Sequence, residues 1–247
     1  MRLLSYNIRL GGGGREQQIA AVIKSCSPDM VILQEAIRPD VVEHVAKECG
    51  FPKWAASAGD SLAYLSRMDI AHHAWREVRL ARRRYLEMVM PGTSTRIFGV
   101  HLAAIHSNVT ERRREHELKS LLANIAQHQH GFHVVTGDFN TLAPGEQLDM
   151  ARLPLRYRAL AWLTGRKIRW KTIQLLLDAG YVDGYRLFHK LDAGHTFPTW
   201  DPHVRLDYVF VPKQFADRLT SCDVIRDAPA LRDASDHFPL VFEITEG

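Results

Sequence analysis

The chain opens with residues 3–8 reading as a strand and a glycine loop at 11–14. The period then changes: Ile19, Val22, Ile23 and Cys26 recur at i, i+3, i+4 and i+7, on one face of a helix. Residues 30–34 form a short apolar run after Ser27-Pro28-Asp29 that stops at Glu35, and Val41, Val42, Val45 and Cys49 then line one side of a second helix. That alternation ends near Trp54. Residues 62–66, 70–80, 85–90 and 96–101 read as consecutive strands, and a helix over about 111–128 buries Leu118, Leu121, Leu122 and Ile125. Residues 133–137, 205–211 and 240–244 complete the predicted strands. Helices and many strands without strict alternation predict an α+β fold, two sheets face to face with helices outside.

Composition narrows the picture only a little. With 247 residues and 46% hydrophobic content the chain suits a single domain over 1–247, and no compositional break divides it. A net charge of +4 fits a protein that meets polyanions without requiring one. The cysteines Cys26, Cys49 and Cys222 lack metal-ligand spacing and read as buried free thiols. The N-terminus enters a strand at once and no run of 18 uncharged apolar residues occurs, so a cytoplasmic monomer without a transmembrane segment is expected. The glycine loop lacks the Gly-Lys-Ser/Thr ending of a nucleotide-binding loop, and the histidines at 72, 73, 128 and 130 have no cysteines at zinc-finger spacing.

The chemistry lies at the strand ends. Asn7, Glu35, His101, Asp138 with Asn140, Asp207, and Asp236 with His237 each sit in or beside an apolar strand candidate. Singly, each has an ordinary reading: Asn7 and Asp138 as turn formers, Glu35 as the polar stop of a buried strand, the histidines as core residues. Asp207 resists that reading, because it interrupts the apolar run Arg205-Leu206-Asp207-Tyr208-Val209-Phe210-Val211 and a buried carboxylate needs a partner.

Taken in order, Ser5-Tyr6-Asn7, Gln34-Glu35, Val100-His101-Leu102, Gly137-Asp138-Phe139-Asn140, Arg205-Leu206-Asp207-Tyr208 and Ser235-Asp236-His237 resemble the motifs of the endonuclease/exonuclease/phosphatase superfamily. The resemblance spans nearly the whole chain. It implies a four-layer α/β/β/α sandwich of the deoxyribonuclease I-like type, and a Mg2+-dependent phosphoesterase whose site lies at one end of the two sheets. Mn2+ is the alternative ion. Glu35 is then the main metal ligand, with Asn7 a weaker or water-mediated contributor and Asp236 approaching the metal or holding its neighbours. His237, paired with Asp207, is the general base, with Asp138 the alternative base. Asp138 and Asn140, two apart at a strand end, are expected on one side to orient water and a phosphoryl oxygen. His101 contacts the phosphate or protonates the leaving group, and Asp60 is a candidate to orient it.

Substrate is less constrained. The segment around His101 departs from the exonuclease III and abasic-site branch and is closer to branches resembling deoxyribonuclease I, tyrosyl-DNA phosphodiesterase, sphingomyelinase and inositol-phosphate phosphatase. Asn7-Ile8-Arg9 is similar to the opening of deoxyribonuclease I, where the arginine meets DNA phosphate, which makes Arg9 a substrate-binding candidate. His101-Leu102-Ala103-Ala104 followed by Arg112-Arg113 resembles the inositol-phosphate 5-phosphatases, but those carry Asp-Arg where this chain has Asp207-Tyr208. Residues 151–177 look like a basic insertion: Arg152, Arg156, Arg158, Arg166, Lys167, Arg169 and Lys171 are interleaved with Tyr157, Trp162 and Trp170. Such a segment suits nucleic acid or an anionic lipid surface, against the plainer reading of a solvated helical face anchored by leucines. Arg166, Lys167, Arg169 and Lys171 are its substrate-binding candidates. The runs Arg82–Arg84 and Arg112–Arg114 read as ordinary surface. The reading is thus a nucleic-acid phosphodiesterase, with inositol phosphate or a phospholipid head group as second substrate class and a non-catalytic binding module as third.

Overall fold

The computed structural model describes residues 1–78, 83–104, 108–128, 131–146, 152 and 170–245. In chain order it contains β1 (Arg2–Asn7), α1 (Glu16–Cys26), β2 (Met30–Gln34), α2 (Pro39–Cys49), β3 (Lys53–Ala56), β4 (Leu62–Ser66), β5 (His72–Glu77), β6 (Arg84–Val89) and β7 (Arg96–His101). There follow α3 (Asn108–Ile125), β8 (His133–Asp138), α4 (Lys171–Asp178), β9 (Tyr181–Asp183), α5 (Gly184–Phe188), β10 (Asp207–Pro212), β11 (Leu219–Val224), α6 (Leu231–Ala234) and β12 (Leu240–Ile244).

Among the described residues the strands form two six-stranded sheets, ordered β11-β12-β1-β2-β4-β3 and β5-β6-β7-β8-β10-β9. Leu3, Ile32, Leu86, Val134, Val209 and Phe242 fill the space between them. Alternate residues of the first sheet, Leu4, Val31 and Leu33, pack outward on Ile19, Val22, Val42 and Val45 of α1 and α2. Phe98, Val135 and Phe210 do the same on the second sheet against Leu118, Leu121 and Ile173 of α3 and α4. The result is the expected α/β/β/α sandwich. Because central strands are covered on both faces, their sequences run apolar without alternation, which makes them easy to find.

The strands that sequence patterning misses are β3, β9 and β11. β9 has three residues. β11 carries a register shift between Leu219 and Ser221, so its buried residues Leu219 and Cys222 are three apart and the period of two is lost. Of the strand expected over 70–80, β5 covers His72–Glu77 and residues 79 and 80 lie outside the described residues, while the strand expected from 205 begins at Asp207. The helix expected over 111–128 starts earlier, at Asn108, and ends in a 3-10 turn at Ala126–His128. The three cysteines are buried and free, and burial pushes each thiol pKa up, that of Cys49 to about 11.

Most of the basic segment, including Arg166, Lys167 and Arg169, lies outside the described residues. Its end does not: Ile173 and Leu176 of α4 are buried on the second sheet, while Lys171 at the start of that helix is exposed.

Topology decides where the polar strand ends meet. Each sheet has one parallel pair, β1 with β2 and β7 with β8, and parallel pairs bring carboxyl ends to a single edge. Asn7 is in register with Gln34, and His101 with Asp138. β10 runs antiparallel to β8 and places its first residue, Asp207, opposite Asp138. β12 runs antiparallel to β1, so His237, three residues before it, arrives at the same edge.

Candidate active site

Asp138 is the centre of the constellation. Its Oδ2 accepts a hydrogen bond from Asn7 Nδ2 at 2.9 Å and lies 3.9 Å from Nε2 of both His101 and His237. At 3.9 Å neither imidazole is hydrogen-bonded to it, so both Nε2 atoms are free to meet a phosphoryl oxygen or water. The other oxygen, Oδ1, accepts from the Asn140 amide at 2.8 Å. Gly137 brings β8 this close to β7: at its φ of 142° an added Cβ would stand 2.0 Å from Val100 O. Any other residue there would push the two strands apart and separate His101 from Asp138.

Asn140 does not share a strand face with Asp138. β8 stops at Asp138, and Asn140 takes a left-handed φ of 52°, which asparagine tolerates better than most residues. Its Nδ2 donates to Leu102 O at 3.1 Å, fastening the loop that follows His101.

Asp207 Oδ2 accepts from His237 Nδ1 at 2.9 Å, with both side chains buried. Ser235 fixes the approach of that loop, since its Oγ donates to Asn7 O at 2.6 Å and accepts from His237 N at 3.2 Å. Thr196 Oγ1 accepts from the amides of Leu206 and Asp207, and the Phe197 ring lies 4.9 Å from the His237 ring. Thr199 Oγ1 donates to Ser235 O at 3.0 Å, so the Thr196-Phe197-Pro198-Thr199 run, a polar and aromatic signal just before the Asp207 strand, supports both halves of the pair.

The two histidines hold protons very differently. Burial lowers the His101 pKa to about 3, helped by the positive charges of Arg83 and His237, so its imidazole is neutral. Burial would lower His237 too, but the charge and hydrogen bond of Asp207, with Asp138 and Asp236 beyond, raise it to about 10. Burial and the Asp207 charge raise Asp138 to about 7, opposed by His237 and the amides of Asn140 and Asn7. The imidazole wins the proton of this pair. At neutral pH His237 is a cation beside Asp138.

Glu35 sits half-buried just past β2 with φ 55°; its carboxylate accepts from the Leu10 amide at 2.5 Å and from Asn7 Nδ2 at 3.3 Å. Asn7 presents its amide nitrogen, not its oxygen, to Glu35 and Asp138, and so joins the two carboxylates. Arg9 Nε is 3.4 Å from Asp236 Oδ2, at the rim of the site. Asp60, the candidate to orient His101, lines the same cleft as His101 but accepts from Arg84 Nη1 at 3.1 Å, and His101 Nδ1 is buried with no hydrogen-bond partner among the described residues. Lys171 makes no contact with this constellation among those described.

The donor chemistry fits a hard divalent cation. Asp138, Asp207 and His237 bring ligand atoms within 4.8 Å of one another, and Glu35 adds a carboxylate joined to Asp138 through Asn7. There is no thiol among them.

Behind Asp207 lies a buried ionic support that sequence did not reveal. Arg205, 1% exposed, donates Nη1 and Nη2 to the two oxygens of Asp183 at 2.9 and 2.6 Å and Nε to Glu146 Oε1 at 2.8 Å. Its guanidinium also stacks 4.4 Å over the Tyr208 ring. Replacing Arg205 with Met takes the guanidinium from the mostly buried Asp183, while Glu146 keeps Arg186 Nη2 at 2.9 Å, so a loss of about 3 kcal/mol in unfolding free energy is expected in urea titration. A loss below about 1 kcal/mol, the range of an exposed pair, would show that the network does not hold this edge.

Solved structures share this architecture end to end. A 3′ phosphatase from Neisseria, NExo, bound to a product DNA hairpin, aligns with TM-score 0.74 at 20% identity over 100% of both chains. An AP endonuclease from Archaeoglobus fulgidus gives 0.74 at 17% over 100% of both. A humanized D. rerio TDP2 gives 0.68 at 15%, over 100% of this chain and 99% of that one. Identities this low establish the fold alone. No curated protein sequence matches this chain. The family assignment rests on the sequence itself: residues 4–237 match the model of the Endonuclease/Exonuclease/phosphatase family, and the chain belongs to that family, hydrolases of phosphate esters.

Proposed function

We propose that this protein is a divalent-metal-dependent phosphodiesterase acting on nucleic acid. The observation that carries the proposal is the meeting of His101, His237 and Asp138 around one small space at the shared edge of two sheets, each imidazole Nε2 standing 3.9 Å from Asp138 Oδ2. Phosphoryl transfer needs an activated water, neutralised phosphate charge and a stabilised leaving oxygen. His237, held protonated by Asp207, offers Nε2–H to a phosphoryl oxygen. Asp138 is the group left to take the proton of an attacking water, a role that sequence reasoning gave first to His237. His101, as a neutral imidazole, donates a hydrogen bond to the phosphate and does not serve as a charged acid. The hydrogen bonds from Asn7 Nδ2 and the Asn140 amide favour the ionised form of Asp138 and aim its carboxyl.

Glu35 and Asp236 are the residues that would hold Mg2+ or Mn2+, which supplies charge neutralisation at the phosphate and leaving oxygen when bound. Nucleic acid is favoured because the structures of similar fold include a 3′ phosphatase bound to a product DNA hairpin and an AP endonuclease. Arg9, exposed at the rim, and the basic segment with Arg166, Lys167, Arg169 and Lys171 are proposed to meet its backbone. No helix among the described residues is long and apolar enough to cross a membrane.

Purified protein should be assayed against duplex DNA, single-stranded DNA, RNA, an inositol phosphate and sphingomyelin, each with Mg2+ and with EDTA. Hydrolysis of a nucleic acid that stops with EDTA is the expected result. Turnover confined to the inositol phosphate or sphingomyelin would replace the nucleic-acid reading with the head-group one. Inactivity on all five, with tight nucleic-acid binding, would make the chain a binding module.

A further inference from the structure

Beside Glu35 and His101 opens a cleft of about 480 Å³, and arginines from both short charge runs reach it. Arg83 and Arg113 share one carboxylate: Glu117 Oε1 is 3.1 Å from Arg113 Nε and 3.9 Å from Arg83 Nε, while Oε2 accepts from the Ala103 amide at 3.0 Å. Glu117 is buried behind the cleft. Arg84, the third arginine of the lining, is balanced by Asp60 at 3.1 Å and Glu77 at 3.2 Å. Glu35 lines the same cleft, so with its charge taken up by the cation it is proposed to hold, two guanidiniums face one carboxylate and leave a surplus positive charge at the Arg83–Arg113 pair.

At Arg83 that charge is poorly solvated, while Arg113 stands half exposed at the mouth of the cleft. The Arg83 side chain is 28% exposed, its Nη1 donates to His101 O at 2.9 Å, and burial lowers its pKa despite the Glu117, Asp138 and Glu35 charges that raise it. A desolvated cation with surplus charge gains most from an anion that carries several acceptor oxygens. Trp75 and the exposed Leu10 give the same cleft an apolar wall.

We propose that this cleft binds a second phosphate of the substrate, gripped by Arg83 and Arg113 while the scissile phosphate lies at His101 and Asp138. The carbon skeleton joining the two phosphates rests on the Trp75 wall. The enzyme therefore prefers substrates with a phosphate close to the one it cleaves. This proposal rests on the hydrolytic reading of the His101 edge, and it adds two specificity-determining residues to it.

The test compares esters that differ by one phosphate: thymidine 5′-(p-nitrophenyl phosphate) with and without a 3′-phosphate, and the 3′-ester with and without a 5′-phosphate. Inositol 1-phosphate and inositol 1,4-bisphosphate form a parallel pair, read by phosphate release. Charge-assisted hydrogen bonds of this kind predict a preference of about ten-fold or more in kcat/KM for the doubly phosphorylated member of at least one pair. Arg113→Gln should bring that ratio close to one, while Lys213→Gln, just past the far end of β10, should leave it in place. A preference confined to the inositol pair supports the pocket and moves the substrate reading to polyol phosphates. Equal rates in every pair, or a ratio that survives Arg113→Gln, overturns the proposal. If no ester turns over, the hydrolytic reading fails, and calorimetric binding of thymidine 3′,5′-bisphosphate against thymidine 5′-monophosphate still decides the pocket. Tighter binding of the bisphosphate that Arg113→Gln abolishes would uphold it, and equal affinities would overturn it.

Discussion

Changing Asp207 to Asn, or His237 to Ala, is expected to lower kcat by about 100-fold or more, and the double variant should lose little beyond the worse single one. The reason is that the two act as one unit. Asp207 Oδ2 accepts from His237 Nδ1 at 2.9 Å inside the protein, and its charge raises the imidazole pKa to about 10 against the pull of burial. An amide at position 207 removes that charge and can offer an N–H to Nδ1, which turns the imidazole into the wrong tautomer. The same buried pairing that gives His237 its proton is therefore lost by either substitution, and it cannot be lost twice. Steady-state rates of the three variants, with urea midpoints to confirm that each is folded, give the comparison. Losses that multiply would show two independent residues, and Asp207 would then be a structural neighbour only.

The parts of this molecule that sequence discloses are those that obey one local rule. α1 and α2 each bury a complete i, i+3, i+4 stripe, and β2 is apolar from Met30 to Leu33 because both its faces are covered. The strand-end residues Asn7, Glu35, His101, Asp138, Asp207 and His237 stand out because each breaks or ends such a run. What brings them together is not local: parallel pairing in both sheets and the antiparallel return of β10 and β12 set one shared edge. Where the local rule fails, so does the reading. Asn140 looks like a strand neighbour of Asp138 two residues on, yet the strand has ended and a left-handed turn places it. β11 hides behind its register shift.

The arginine runs show the same limit from the other side. As a string, Arg112-Arg113-Arg114 is a patch of surface charge. On a helix, successive residues are turned by about 100°, and the three meet different surroundings. Arg114 is 2% exposed, bound to Glu111 at 2.8 Å and to Ala103 O at 2.7 Å, while Arg113 faces the cleft. Glu111 in turn accepts from Thr172 and Thr141, so α3 ties the start of α4 to the loops that follow His101 and Asp138. Charge alone could not separate the residue that braces the site from the one that lines it.

Replacing Glu35 with Gln should leave the fold in place and remove most of the activity at a low Mg2+ concentration. Gln has the shape of Glu, and its carbonyl oxygen can still accept from the Leu10 amide that Glu35 now holds at 2.5 Å. What disappears is the negative charge. A hard divalent ion is held by few protein carboxylates and keeps much of its water, so the loss of one anionic ligand is felt directly as affinity. Bound metal contributes several kcal/mol to a phosphoryl transition state, which makes a fall on the order of 100-fold or more the expected size. More Mg2+, or Mn2+ in its place, should recover part of the rate by mass action, and the concentration giving half-maximal activity should move upward. In the unaltered protein, EDTA should stop turnover and added Mg2+ should restore it. Full activity after exhaustive chelation, or a Glu35→Gln variant whose metal dependence is unchanged, would take the metal away from Glu35 and leave the Asp138, Asp207 and His237 cluster as the place to look for it.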